Sequence, residues 1–416
     1  MKHLFPIVLG LVAPCAIAQT TVTVSTAPAN ADQVWYSLEN GVVQTRPLAE
    51  WDIAFEITGI TGSILANTGK GIAIHKAPFA NSQWASIDTA GLAASWPAQH
   101  NSEVNWSSGA FNQGLTSNPF DLGWGVYNVV THNITGDSAF IIKLAPTTWK
   151  KFRVNGFSSS TNSFSFTWSD LDGSNEQTNT LNRSTFAGRN FGYVSLTNNT
   201  VFDREPATNT WDLLFTKYMA FVPFPVPSMY PVAGVLQNAD IPVQRVDDVT
   251  IDFTDWSAGT FSNAINRIGF DWKSFNQTTF QWEYVTDRVH FVQDRVGNIW
   301  KLIFTNYGGS TNGNITFTQE LMSSVGVDEV RSGKVGLVAY PNPSMDGDIT
   351  LITNMVSPTA VVSVLDLSGR TMYTVQLNGL QGLMQHRLDL SDLPTGMYAV
   401  RIQGEGTDAT TRILLQ

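Results

Sequence analysis

Apolar and polar residues alternate along this chain in short runs. Phe164-Ser165-Phe166-Thr167-Trp168, Ile315-Thr316-Phe317-Thr318 and Val361-Val362-Ser363-Val364-Leu365 follow or approach a period of two, which predicts strands with one buried face. No stretch keeps apolar residues at helical spacing beyond two or three turns without Gly, Pro, Asn or a β-branched run. The chain is therefore expected to be all-β. Asn40-Gly41 and Asn198-Asn199 each follow a short strand pattern and predict hairpin turns.

The pattern also repeats. Trp51-Asp52-Ile53-Ala54-Phe55 recurs as Trp211-Asp212-Leu213-Leu214-Phe215. The approach Trp35-Tyr36-Ser37-Leu38-Glu39-Asn40-Gly41-Val42 resembles Tyr193-Val194-Ser195-Leu196-Thr197-Asn198-Asn199-Thr200. Trp149-Lys150-Lys151-Phe152 matches Trp300-Lys301-Leu302-Ile303, and a turn and polar strand follow each. Shared order and near-equal spacing predict two related antiparallel β modules, 30–170 and 190–322. Asp172–Asn190 and Val325–Gly336 read as linkers, and 337–416 as a third, small β domain. Trp51 and Trp211 read as buried anchors, with Asp52 and Asp212 bonding backbone at the strand ends.

Met1-Lys2-His3, the apolar run Leu4–Ala18 and the small residues Ala16 and Ala18 read as a secretory signal over 1–18. The one cysteine, Cys15, falls inside it, so a mature chain cleaved after Ala18 has neither disulfide nor thiolate metal site. A net charge of −10 disfavours nucleic acid and anionic lipid as partners. No later run is long and apolar enough for a transmembrane helix. There is no Gly-x-Ser-x-Gly, His-Glu-x-x-His or phosphate loop, and the expectation is a protein that is not an enzyme. Asp170-Leu171-Asp172-Gly173-Ser174-Asn175-Glu176 spaces oxygens like a calcium loop but lacks the later bidentate Glu, and reads as a polar turn.

The tail carries Tyr340-Pro341-Asn342-Pro343-Ser344, Gly347, Val364-Leu365-Asp366-Leu367-Ser368-Gly369-Arg370 and Leu393-Pro394-Thr395-Gly396-Met397-Tyr398, and closes on Arg412-Ile413-Leu414-Leu415-Gln416. In that order it resembles the type IX secretion C-terminal sorting domain, subtype A, although the usual final basic residue is replaced by Gln416. The resemblance implies an immunoglobulin-like sandwich, the type IX secretion machinery as partner, and a secreted or outer-surface location.

The repeated Trp-Asp strand, the hairpin before it and the closing Trp-Lys pattern resemble the HmuY family of haem-binding proteins. That resemblance implies haem as cofactor, host haemoproteins as partners, and iron held by two axial side chains, usually His and sometimes Met. His100 and His132 fall where that family carries its ligands, with His75 as the substitute. Trp84, Trp96, Trp106, Phe111, Trp124 and Tyr127 would wall the pocket. In module two His290 reads as a satisfied strand residue, and Met219 and Met229 as packing. The expected function is a secreted, ligand-binding protein. The alternative is an adhesin or carbohydrate-binding surface protein that uses its aromatics as stacking platforms.

Overall fold

The computed structural model describes residues 19–416 apart from 60, 114–116, 224–225, 324–336, 356–358, 367–368, 379–381 and 405–406. The signal segment 1–18 with Cys15, and the linker 325–336, lie outside the described residues. Strands dominate, joined antiparallel, as the alternation predicts. The chain divides into two compact units, the first running to Arg295 and taking in Ile299–Leu321, the second made of Met322–Gln416 with Val296–Asn298.

The first unit holds two large hydrophobic cores. One gathers Ile53, Phe55, Phe111, Trp124, Phe140 and Phe166, and is completed by Leu181, Phe186 and Val194. The other gathers Leu213, Phe215, Trp272, Phe304 and Phe317, and is completed by Val24, Val34, Tyr36 and Leu38 from the beginning of the chain.

The two repeats exchange hairpins. The hairpin Asp32–Ser37/Gly41–Pro47 pairs with Leu213–Val222, the second Trp-Asp strand, with Val34 opposite Phe215 and Tyr36 opposite Leu213. The hairpin Phe191–Ser195/Thr200–Phe202 pairs with Ile53–Glu56, the first Trp-Asp strand, with Tyr193 opposite Ala54. Likewise Thr20–Ser25 pairs with Asn314–Ser323 near the far end of the unit. A simple meander through one repeat would set its first hairpin strand parallel to its own Trp-Asp strand. The strand of the other repeat supplies the antiparallel direction that these ladders have.

The sheets therefore do not follow the boundaries 30–170 and 190–322. One lobe runs continuously from Trp51 to Phe202, and the other joins the strands of 20–47 to those after Trp211. Asp172–Asn190 is not a free linker either. Gln177–Asn182 adds a strand beside Ser163–Asp170, and the short turn after it drives Phe186 into the core. Leu181 and Phe186, set among polar residues, are what anchor it.

The second unit is a sandwich. Leu337–Tyr340, Asp348–Met355 and Gly382–Asp389 form one sheet. Thr371–Asn378, Thr359–Leu365, Gly396–Gly404 and Thr407–Leu415 form the other. Val362, Val364, Val400, Ile402 and Ile413 fill the space between. The Pro-Asn-Pro run follows the first strand rather than starting it, since a proline nitrogen cannot join the ladder.

Candidate functional site

The exchange builds two four-stranded sheets, each containing strands from both repeats. Each sheet gives one face to a lobe core. The other faces carry Trp51, Ala54, Leu65, Phe191 and Tyr193 on one side and Trp35, Trp211 and Leu214 on the other, with Trp106 packed against both groups. Between them lies a cavity with about 70 Å³ of space open to water.

Each Trp-Asp pair clasps the hairpin that comes from the other repeat. The Asp52 carboxylate, fully buried, accepts from the Leu196 N–H at 2.7 Å and pairs with Lys70 at 2.6 Å. The Asp212 carboxylate accepts from the Leu38 N–H at 2.8 Å. Asn67 donates its amide to the carbonyls of Leu48 and Trp51, and Asn238 does the same to Thr208 and Trp211. The expected roles of Trp51, Trp211, Asp52 and Asp212 as anchors and backbone acceptors hold. That each Asp serves the other repeat is visible only in three dimensions.

A buried polar pair, Arg204 and Glu205, lies beside the cavity, with Glu205 in its wall. The Arg204 guanidinium lies between Trp35 and Tyr193, about 5 Å from each ring centre (5.1 and 5.3 Å), and donates to Gln33 and Pro47. Its neighbour Glu205 accepts from the Tyr193 hydroxyl at 2.8 Å and the Asn190 N–H at 3.0 Å. Burial pushes the Glu205 carboxyl up to about 7, against those two donors and Arg204. Two further wall groups have no partner among the described residues, the Trp211 indole N–H and the Tyr218 hydroxyl, both buried. Burial raises the Tyr218 pKa, so the hydroxyl stays protonated.

The histidines lie outside this cavity. His75 is on the strand Ala73–Ala80, opposite Ala98, with Nδ1 2.8 Å from the Trp96 carbonyl. His100 follows directly on the paired strand Ala98–Gln99. Burial lowers its pKa, Glu103 opposes that, and the nearby His75 lowers it further. The structure thus brings His100 next to His75. His132 occupies the separate turn Asn128–Asn133 in a left-handed backbone conformation (φ 58°), and its Nδ1 meets the Tyr127 hydroxyl at 2.6 Å. No contact joins it to His100 among the described residues.

The expected aromatic wall is also dispersed. Phe111 and Trp124 belong to the first lobe's core, Trp84 and Trp96 to a separate outer cluster, and Trp106 to the cavity. His290 is a strand residue as expected, but neither ring nitrogen has a hydrogen-bond partner among the described residues. Burial drives its pKa down to about 3, so it is a neutral core imidazole. The Asp170 carboxylate is engaged by Lys150 and Asn175, and Asp172 by Ser174, the contacts of a polar turn.

By architecture the chain is a two-lobed β body followed by a β-sandwich tail. Residues 338–416 match the family described as the secretion system C-terminal sorting domain. The tail is that sorting domain, and the protein is handled by the type IX secretion machinery and is secreted or held at the cell surface. None of the curated proteins matches the chain. Among solved structures it is similar to one titled "Biofilm associated protein - BSP domain", at 9% identity and a TM-score of 0.17, over 97% of this chain and 67% of that one. That score is too low to carry an argument. No helix among the described residues is long and apolar enough to cross a membrane.

Proposed function

We propose that this is a non-enzymatic ligand-binding protein, and that the cavity between the lobes receives a small, oxygen-rich molecule. The observation that carries this reading is the pair of unpartnered donors, Trp211 Nε1 and Tyr218 Oη, in an aromatic-walled space. Buried donors are almost always bonded, and a ligand oxygen would give these two their acceptor. Trp51 and Trp106 would cover its apolar surface. The test is tryptophan fluorescence of the full mature chain against monosaccharides, small carboxylates and amino acids. A saturable change is expected, weakened at least tenfold in Trp211→Phe and Tyr218→Phe. No response to any of the compounds, or unchanged affinity in both variants, removes the reading.

Haem capture is the finer alternative. Its support is that His75 and His100 are neighbours, with Nδ1 of His75 held by a carbonyl so that Nε2 remains for a ligand. The fit is poor in two respects. His75 lies on a strand of one sheet and His100 directly follows the strand paired with it, so they do not stand on opposite walls, and the cavity has no histidine and too little room for a macrocycle. Haemin titration that gives no Soret shift, or one unchanged in His75→Ala/His100→Ala, discards this assignment.

A further inference from the structure

The charges around the cavity between the lobes restrict what can enter it. Its charged lining residues among the described residues are Glu103, Glu205 and Lys217. Lys217 contributes backbone rather than charge. Alternation along Leu213–Val222 gives Leu214, Thr216 and Tyr218 to the cavity and turns Lys217 to the face of Phe215, where its ammonium donates to the Ala29 carbonyl at 3.4 Å. The nearby Arg204 guanidinium is held by Gln33 and Pro47. Both cations are thus committed to protein oxygens.

The acids remain. Glu205 has both oxygens occupied, by the Tyr193 hydroxyl and the Asn190 N–H. Glu103 is half-buried and accepts from the Phe221 N–H at 3.0 Å. Its charge reaches Tyr218, where it adds to the rise in pKa that burial causes. An anion bonded to the Tyr218 hydroxyl would enter this field with no free cation among the lining residues to meet it. A cation fares no better. An ammonium brings donors, whereas the unpartnered Trp211 indole can only donate and would stay unpaired. The other polar groups of the wall are neutral and engaged. The Trp51 and Trp106 indoles donate to the Gln33 side chain and the Gln237 carbonyl, and the Asn67 and Asn101 amides to backbone carbonyls. Size adds a limit. About 70 Å³ of space open to water holds roughly five waters at about 10–15 Å³ each, the bulk of one sugar ring and not of two.

We propose that the ligand of this cavity is an uncharged polyol no larger than a single sugar ring, and that its acidic and basic counterparts are turned away. The proposal rests on the ligand-binding reading of the cavity and narrows it to one chemical class. Hydroxyl oxygens accept from Trp211 Nε1 and Tyr218 Oη, and the C–H faces of the ring lie against Trp51 and Trp106. Selectivity comes from the repulsive element, the Glu103 charge, as much as from the contacts made.

The test is isothermal titration calorimetry of the full mature chain near pH 6, where uronates are ionised and amino sugars protonated. Glucose, galactose and mannose are each compared with their uronate, their 2-amino sugar and a disaccharide that contains them. Saturable heat is expected from at least one of the three, with its charged forms and its disaccharide at least tenfold weaker. Glu103→Gln keeps an acceptor for the Phe221 N–H and removes the charge, so it should narrow the ratio of neutral sugar to uronate at least threefold. A uronate, amino sugar or disaccharide that binds as tightly as its parent sugar overturns the class and leaves the cavity a ligand site. An unchanged ratio in Glu103→Gln overturns the role given to its charge. Silence from every sugar overturns the class, and silence from small carboxylates and amino acids as well leaves the space to ordered water and removes the ligand-binding reading beneath it.

Discussion

At the level of single residues, the buried acids decide how the two lobes respond to pH and to mutation. Glu205 has its pKa raised from the ordinary 4.5 to about 7 by burial. The folded protein therefore holds a proton there that the unfolded chain has lost between about pH 4.5 and pH 7. Its contribution makes stability fall as pH rises through that window and stay level above it, by an amount on the order of 3 kcal/mol. Urea melts of the parent and Glu205→Gln should differ little near pH 5, with the variant more stable near pH 8; parallel curves at both values would contradict the assignment. Asp52 and Asp212 offer a comparison within one molecule. Asp52→Ala strands the Leu196 N–H and leaves half-buried Lys70 unpaired, whereas Asp212→Ala strands the Leu38 N–H with no lysine paired to it among the described residues. A loss of about 2–4 kcal/mol is expected for Asp52→Ala and a smaller loss for Asp212→Ala. Denaturant midpoints in the reverse order would show that Lys70 adds nothing. The sequence made these four Trp and Asp positions legible because each repeats in register. Glu205 was not legible, since a lone Glu after an Arg carries no local sign of burial, and Tyr218 was hidden in an ordinary strand pattern.

Among the elements, what the sequence shows and what it hides divide along the range of the interaction. Strand period and turn residues are local, and they hold: Gly41 and Asn199 both adopt the left-handed conformation that their hairpins need. Which strand a hairpin joins is settled some 140 to 180 residues away, and nothing in an alternating pattern names the partner. The histidines show the same divide. The family resemblance favoured His100 with His132, while ladder pairing put His100 beside His75. The exchange depends on close approach between lobes, and Gly69 marks where it is tightest. A Cβ at this position would come 2.0 Å from the Lys217 carbonyl, which is backbone and cannot swing aside. Gly69→Ala should cost about 1–3 kcal/mol by overpacking. The loss should show as a lower urea midpoint together with changed tryptophan fluorescence from the cavity wall. An unaltered midpoint would mean that the lobes are held less closely than this contact requires.

For the whole molecule, the exchange sets which pieces of chain can fold. The sequence repeat suggests cutting at 30–170, but that piece lacks Phe191–Ser195, so Ile53–Glu56 loses its neighbour and Leu181, Phe186 and Val194 leave the core. The piece 49–206 keeps every strand of the first lobe, although it exposes Trp51, Phe191 and Tyr193 where the second lobe covered them. Removing those covers weakens a lobe, while removing a central strand partner leaves unpaired backbone along a buried edge, which a small β fold does not tolerate. The two fragments are of similar length, so chain size does not favour either. Fragment 49–206 should melt cooperatively by circular dichroism at a lower midpoint than the parent, and 30–170 should be unfolded or aggregated. A cooperative melt from 30–170 and none from 49–206 would mean that each repeat closes on its own hairpin, and the cavity between the lobes would then lose the architecture that creates it.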